Sequence, residues 1–548
     1  MNNTTIVTGI WDLGRDSLSE GWGRKFDHYI ENFKRLLSIQ ELNLAIFIDS
    51  SLEDLVWKYR NKNNTVVYKH SINEFNGAFF PFFDQVQNIR LSEQWQNQVG
   101  WLKDSTQAKM PLYNPMVMSK MFLLHNAKIF NPFNSTHYFW LDGGITNTVH
   151  PGYFSHDNVI EKIESITEKM LFVCFPYETK TEIHGFDINA MKRYGKNNEI
   201  NRVARAGFFG GHKDYISSAN TLYYSLLQSS LNEGYMGTEE SIFTLMTYLE
   251  PNTYHIEMIN EDGLLSTFFE NVKNNTTKQD KIKTTQNYKH NKISLYINTF
   301  NSPEQLQMVL DSFSKHDKRF IENTEKILIN NSTKNELFEK YDNICSKYNF
   351  IDHIKKGNLG ICRARQLAAE HFKESGNKYM LFFEDDMLLD FNNNCDFGFS
   401  KNVKDLFTNM VRIMDLEKYD FLKLSFSEFY GNNGQQWSWH NVPSPKKEEY
   451  FGNINSKPPT KFNTIHSLNS VIYADGEIYY SNWPHIISQE GNKKCFLDTT
   501  WNSPFEQTWM SHIYSLTKNN IVKPAILLHS PITHNRVHHY EAKDRKEN

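Results

Sequence analysis

The residues in this chain best placed to do chemistry are carboxylates that close an apolar run, and they occur twice. In the first half HYFWLDGG carries Asp142; in the second KYMLFFEDDM carries Glu384, Asp385 and Asp386. Runs this apolar read as buried strands. Carboxylates delivered at a strand end are hard oxygen ligands for a divalent cation such as Mg2+ or Mn2+. Open α/β sheets bind ligands in the crevice at that edge. In an extended segment alternate side chains share a face, so Glu384 and Asp386 are expected to point together, with Asp386 the preferred ligand. The competing reading is an acidic triplet that ends a strand in a solvated turn. Each half also carries a later acidic motif, GTEES with Glu239 and Glu240, and SPFEQTW with Glu506.

The elements that must position these groups follow from periodicity. In the first half Ile6–Ile10, Leu44–Ile48, Tyr138–Leu141 and Lys169–Phe175 read as strands, Phe26–Leu37 and Pro115–Phe130 as helices. In the second half Ser294–Ile297, Ile327–Ile329 and Tyr379–Phe383 read as strands, Pro303–Phe313 and Ile361–Phe372 as helices. Alternating strand and helix predicts a largely parallel sheet in each half. The halves are separated by NVKNNTTKQDKIKTTQNYKHN, a polar, lysine-rich run of linker composition at 271–291. Two domains, 1–270 and 292–548, are therefore expected. A Gly-, Pro- and Trp-rich stretch, Gly431–Thr464, reads as a long binding loop, with Trp437 and Trp439 as aromatic platforms.

Composition narrows the function classes. A net charge of −4 gives no global field for nucleic acid. The five cysteines are odd in number and form no CxxC pair, which fits a reducing compartment and argues against a disulfide or zinc scaffold. The opening MNNTTIVTGIWD lacks a basic n-region, and no apolar run approaches a membrane span. A cytoplasmic protein without a membrane anchor is the expectation; oligomeric state is left open.

The ordered motifs of the second half resemble family 2 glycosyltransferases and relatives of the GT-A fold. ISLYINTFNSPEQL is similar to their opening strand, turn and helix, which implies that Thr299, Asn301 and Glu304 lie near base and ribose. ILINNST places Asn330 and Asn331 where that family has an acidic residue, a departure that leaves the base open. KGNLGICRARQLAAEH resembles the family's glycine-led helix and implies nucleotide contacts from Asn358, Gly360, Arg363 and Arg365, with Asp385 beside them. The alternative for the arginines is a solvated helix face. The resemblance further implies that Glu506 takes the proton from an acceptor hydroxyl, and that a late histidine, His529 or His534, joins Glu384 and Asp386 on the metal. The alternative for Glu506 is an acid that complements a helix dipole.

In the first half IVTGIWDLGRDSL, NPMVMSKMFLL, FWLDGGI, RAGFFGGHKDY and GTEESIF occur in an order that resembles the HtrL/YibB (WlaTC) family, grouped with GT-A-like transferases. The resemblance implies that Lys120 holds a diphosphate and Asp142 contacts metal or nucleotide. It also implies that Gly210 and Gly211 shape a sugar pocket, and that Glu239 or Glu240 is the acid/base. Asp-Gly-Gly offers one carboxylate, a poor divalent site by itself.

The combined expectation is two tandem GT-A-like, Rossmann-like α/β domains. As a bifunctional glycosyltransferase they would move sugar from a nucleotide-diphosphate sugar to a glycan or other hydroxyl acceptor with Mn2+ or Mg2+. Two rivals stand beside it: an active C-terminal transferase with a non-catalytic N-terminal binding domain, and a metal-dependent nucleotidyltransferase.

Overall fold

Strand alternation sorts side chains onto two buried faces in each half. The computed structural model of the chain describes residues 3–17, 24–77, 79–155, 159–277, 293–390, 395–396, 399–425, 462–499 and 506–535. The chain divides into two compact units, Met1–Thr284 and Thr285–Asn548. Both are mixed α/β with a parallel core, and among the described residues no helix is long and apolar enough to cross a membrane.

In the N-terminal unit the strands are β1 (Thr4–Ile10), β2 (Asn43–Ile48), β3 (Thr65–Lys69), β4 (His137–Leu141), β5 (Met170–Pro176), the short pair β6 (Glu182–Ile183) and β7 (Phe186–Asp187), β8 (Arg202–His212) and β9 (Tyr254–Met258). Seven form one sheet in the order β3-β2-β1-β4-β8-β5-β9. β3, β2, β1 and β4 are parallel neighbours, and β8 runs antiparallel to both β4 and β5. Period two is visible in β4: Tyr138 and Trp140 join one core cluster, Phe139 and Leu141 the other. A sheet covered on both faces explains why the strand is apolar throughout.

The run expected as one helix over Pro115–Phe130 is divided into Tyr113–Met118 and Lys120–Phe130. The Ser119 N–H turns to the Met116 carbonyl and its hydroxyl to the Pro115 carbonyl. That tight turn puts Lys120 at the start of a helix rather than inside one.

In the C-terminal unit the strands are β10 (Ile293–Thr299), β11 (Glu325–Asn330), β12 (Asp352–Lys355), β13 (Tyr379–Glu384), β14 (Met387–Leu389), β15 (Cys395–Asp396), β16 (Phe399–Ser400), β17 (Phe421–Lys423), β18 (Phe462–Leu468), β19 (Val471–Gly476), β20 (His485–Ser488), β21 (Pro524–Leu527) and β22 (Ile532–His534). The main sheet runs β12-β11-β10-β13-β20-β17-β21-β19-β18. Its first four strands are parallel and β20 is antiparallel to β13. Each unit therefore begins with strand order 3-2-1-4 followed by an antiparallel neighbour. The first connection leaves strand 1 for one side and strand 4 lies on the other. This is a topological switch point, with its crevice beyond the C-terminal ends of strands 1 and 4. β14 and β22 pair separately, antiparallel, with Met387 opposite His534.

The helix Leu265–Lys273 carries into the first residues of the stretch expected as linker. Most of the expected long loop, with Trp437 and Trp439, lies outside the described residues.

Candidate functional site

Both acidic motifs stand at a switch point, and their surroundings differ. In the N-terminal unit Asp142 follows β4 directly and its N–H is held by the Gly207 carbonyl on β8, 3.0 Å away. Gly143 is required by close approach: a Cβ there would lie 2.9 Å from the Gly9 carbonyl oxygen at the end of β1. The indole of Trp140 donates to Asp142 Oδ1 at 2.7 Å. Lys120 Nζ reaches Asp142 Oδ1 at 2.8 Å and Oδ2 at 3.1 Å, and Glu239 Oε1 at 2.8 Å. One ammonium therefore bridges two carboxylates. The Lys120 and Glu239 side chains are 8% and 6% exposed, whereas Asp142 is 37% exposed, so the cluster opens at the aspartate.

Glu239 and Glu240 begin the helix Glu239–Leu249, whose N-cap Thr238 forms a capping box with Ser241. Glu240 Oε1 accepts the Ala206 N–H at 2.9 Å, and Oε2 meets His184 Nε2 at 2.9 Å and Arg205 Nη1 at 3.3 Å. Burial would raise the Glu240 pKa, but His184 and Arg205 outweigh it and hold the carboxyl down at about 2. Burial raises Glu239, against the pull of Lys120. Burial also opposes the charge on Lys120, and Asp142 with Glu239 more than restores it, so its pKa is raised. Tyr113 senses Glu239, Arg15 and Lys120 together, and the Arg15 guanidinium lies over its ring at 5.5 Å.

His184, Arg205, Arg15 and Trp140 thus belong to a cluster in which the sequence flagged only Lys120, Asp142, Glu239 and Glu240. Arg205 lies in the RAGFFGGH segment, which was the available signal. The glycines of that segment need a correction. Gly210 and Gly211 do not sit with Asp142. They pair with Phe139 and Tyr138 inside the sheet, where a Cβ would come within 2.2 Å of the Tyr138 carbonyl oxygen and 2.0 Å of the Lys169 carbonyl oxygen, respectively. They permit backbone packing; Gly207 is the glycine of the strand that adjoins Asp142.

In the C-terminal unit β13 ends at Glu384, and residues 385 and 386 form a turn before β14. The alternation expected to align Glu384 with Asp386 therefore stops at Glu384. The three acids go separate ways. Burial, and after it the charges of Glu506 and Glu384, push the Cys362 thiol up to about 12. Asp385 is buried and accepts from the Thr299 hydroxyl and from the Phe300 N–H at 3.2 Å, tying strand 4 to the end of strand 1. Burial first, and then neighbouring Asp386, push its carboxyl up to about 7 against the Thr299 hydrogen bond. Asp386 Oδ2 meets His534 Nε2 at 3.1 Å. Pairing of β14 with β22 makes that contact, and the Asn535 N–H on the Asp386 carbonyl at 2.7 Å secures it.

Of the two late histidines the structure brings His534 to the acids. His529 is buried with Nδ1 on the Ser400 carbonyl at 2.8 Å and Nε2 beside the Ser470 carbonyl and the Ile472 N–H. It fastens backbone segments and is not in the Asp386 cluster. Glu506 opens the helix Glu506–Lys518; burial raises its pKa, opposed by a hydrogen bond from the Asn482 backbone.

The residues expected at the nucleotide divide. Asn301, at the end of β10 with φ 50°, binds the next loop: its Oδ1 accepts the Thr333 and Lys334 N–H groups and its N–H donates to Ser332. Asn330 is fully buried, held by His353 and the Ser332 N–H, and is a turn-forming residue. Glu304 is exposed and pairs with Lys340. Asn358 caps the Gly360 N–H at 2.9 Å, and Gly360, at φ 76°, starts the helix Gly360–Glu374.

Packing separates the two arginines on that helix, and only Arg365 is corrected by it. Arg363 is 50% exposed and pairs with Glu370 at 2.7 Å. Arg365 is 0% exposed, with its guanidinium over the rings of Phe496 at 3.8 Å and Phe382 at 4.6 Å and Nε on the Tyr480 hydroxyl at 3.2 Å. Arg365 is therefore packed inside the unit, whereas Arg363 stands on the outer side of the helix.

Does either cluster fit a divalent cation? Among the described residues no group of three or more His, Cys, Asp or Glu side chains has metal-site spacing. Asp386 Oδ2 and His534 Nε2 nevertheless stand side by side at 3.1 Å. That is a hydrogen-bond distance, and the two are the residues that would offer a carboxylate oxygen and an imidazole nitrogen to such an ion. Asp142 does not fit, because an ammonium stands between it and Glu239.

A family model described as "Bacterial protein of unknown function (HtrL_YibB)" matches residues 2–269. No curated protein matches the chain. Among solved structures, S. aureus TarS is 16% identical over 45% of this chain and 37% of that one, with a TM-score of 0.28. TarS 1-349 in complex with UDP-GlcNAc is 12% identical over 45% and 60%, with a TM-score of 0.29. The mannosyltransferase PcManGT from Pyrobaculum calidifontis, in complex with GDP-Man and Mn2+, is 12% identical over 27% and 40%, with a TM-score of 0.21. The chain thus spans 37% and 60% of the first two, and such low scores carry no argument about activity. The N-terminal unit is similar to the HtrL_YibB family.

Proposed function

We propose that the chain is a nucleotide-sugar-dependent glycosyltransferase built from two GT-A-like domains, 1–270 and 292–548, with turnover in the second. One observation carries the reading: Asp386 and His534, 148 residues apart, meet at 3.1 Å beside a parallel-sheet switch point. The Asp386–His534 pair is the set that would hold Mn2+ or Mg2+, whose chemistry is to offset charge on a leaving diphosphate. Asp385, fixed to Thr299 and Phe300, sets the spacing between the ends of β10 and β13. Glu506 is the base. Its raised proton affinity suits it to take the acceptor hydroxyl's proton as that oxygen bonds to the anomeric carbon. The bond from that carbon to the diphosphate oxygen breaks, and its electron pair leaves with the nucleoside diphosphate. The acceptor is a glycan or other hydroxyl compound.

A second reading applies to the N-terminal unit: it binds a ligand and does not turn it over. The engagement of both of its acid/base candidates favours this, Glu239 by Lys120 and Glu240 by His184 and Arg205.

The test is a sugar-nucleotide turnover screen of the full chain with Mn2+ or with EDTA. At least one donor is expected to be consumed only with metal, and Asp386→Ala is expected to abolish that consumption. Undiminished turnover by Asp386→Ala would remove the proposed site.

A further inference from the structure

The N-terminal cluster resolves into a cationic mouth over a neutralised acidic floor. On the floor the Lys120 ammonium has Asp142, Glu239 and the Ala206 carbonyl around it, the last at 3.5 Å. A covalently tethered charge thus lies between a carboxylate at a strand tip, Asp142, and one at a helix start, Glu239. At the mouth are Arg205, 33% exposed, and His184, 36% exposed, both gathered by Glu240. Arg15 lies near the same site, over the rings of Tyr113 and Tyr29 at 5.5 and 4.9 Å. Lys120, Arg15 and Arg205 face Asp142, Glu239 and Glu240 in equal number, and a proton on His184 would add a further positive charge at the mouth. Burial resists protonation of His184, and its contact with Glu240 outweighs that and raises its pKa. Planar guanidinium groups match phosphate oxygens in fork geometry.

We propose that the N-terminal unit binds the diphosphate of a nucleotide sugar without a divalent cation, with the Lys120 ammonium standing in for the ion between Asp142 and Glu239 and with Arg205 and Arg15 facing the ligand. This rests on the reading of that unit as a nucleotide-sugar domain. It differs from the C-terminal unit, where Asp386 and His534 are assigned to a metal. The inference requires Lys120 to stay charged and in place, which its two carboxylate partners ensure.

The experiment is calorimetric titration of the full chain bearing Asp386→Ala, so that the proposed metal site is disabled. The probes are UDP-glucose, UDP-N-acetylglucosamine and GDP-mannose, each in EDTA and again in Mn2+. At least one is expected to bind in EDTA, with its Kd changing less than about twofold on adding Mn2+. Lys120→Met is expected to weaken that binding at least tenfold. Arg205→Ala, at a partly exposed position, is expected to do so without threatening the fold. Binding that appears only with Mn2+ would overturn the cation-free site while leaving the nucleotide-sugar reading standing. Binding of no probe under either condition would overturn both. Binding in EDTA that is indifferent to Arg205→Ala and to Lys120→Met would place the ligand elsewhere and overturn the assignment.

Discussion

The two units solve one electrostatic problem in opposite ways. In both, strand order 3-2-1-4 aims acidic residues at a crevice beyond strands 1 and 4. In the N-terminal unit the negative charge is neutralised from within the fold, because a helix starts at Lys120 and sends its ammonium to Asp142 and Glu239. In the C-terminal unit the neighbour that the pairing of β14 with β22 brings to Asp386 is an imidazole, His534. A strand-tip carboxylate is therefore not in itself a metal site. What differs is the neighbour each carboxylate meets, an ammonium at Asp142 and an imidazole at Asp386.

The contrast can be broken at several points. The largest effect is expected from Glu506→Gln. It should lower the metal-stimulated transfer rate by roughly a hundredfold or more while leaving the donor Kd within about threefold. Steady-state kinetics with parallel titration checks this, and a large loss of donor binding instead would remove the base role.

Next comes Lys120→Met. Leaving Glu239 buried and unneutralised should cost about 3 kcal/mol or more in urea unfolding of the N-terminal unit. His534→Ala, which removes a half-buried partner from a buried Asp386, should cost less, about 2 kcal/mol, in the C-terminal unit. Equal costs would erase the distinction between a built-in and a vacatable cation site.

The arginine pair sharpens the same point on one helix. Arg365→Ala removes a side chain packed between two rings and should cost about 3 kcal/mol. Arg363→Ala should fall within about 0.5 kcal/mol of the parent. Thermal unfolding of the two variants reads the difference directly.

The same N-terminal cluster can also be probed by pH. The folded Glu240 pKa lies at about 2, below its ordinary 4.5, so the native state binds fewer protons than the unfolded chain between those values. Its contribution is present above pH 4.5 and is lost as pH falls toward 2, on the order of 3 kcal/mol in full. The stability gap between the parent and Glu240→Gln should thus be widest near neutrality and narrow below pH 4.5. A gap that stayed constant down to pH 3 would contradict the depressed pKa.

Much of the scaffold was legible because apolar runs such as HYFWL and KYMLFF are long, bounded and buried on both faces. Alternation with amphipathic helices then predicted a parallel core. The division at Ser119 was not legible, since the apolar pattern continues across it and only a serine turning onto the previous carbonyls marks the turn. The placement of candidate residues was legible where they follow a strand directly, as Asp142 and Asp385 do. They were not legible where direction around a helix or depth along a strand decides. Arg363 and Arg365 look equivalent in sequence, yet one meets solvent and the other two aromatic rings. Gly210 and Gly211 sit three or four residues too deep in β8 to reach Asp142. The choice between His529 and His534 depended on the pairing of β14 with β22, a contact with no local signal. His184 and Arg205 reach Glu240 only through the tertiary fold.

Counting Mn2+ ions bound to the full chain by electron paramagnetic resonance, with and without a nucleoside diphosphate, tests the contrast most directly. The account predicts one ion per chain, lost in Asp386→Ala and retained in Asp142→Asn. Two ions per chain, or one ion that disappears with Asp142→Asn and survives Asp386→Ala, would contradict it.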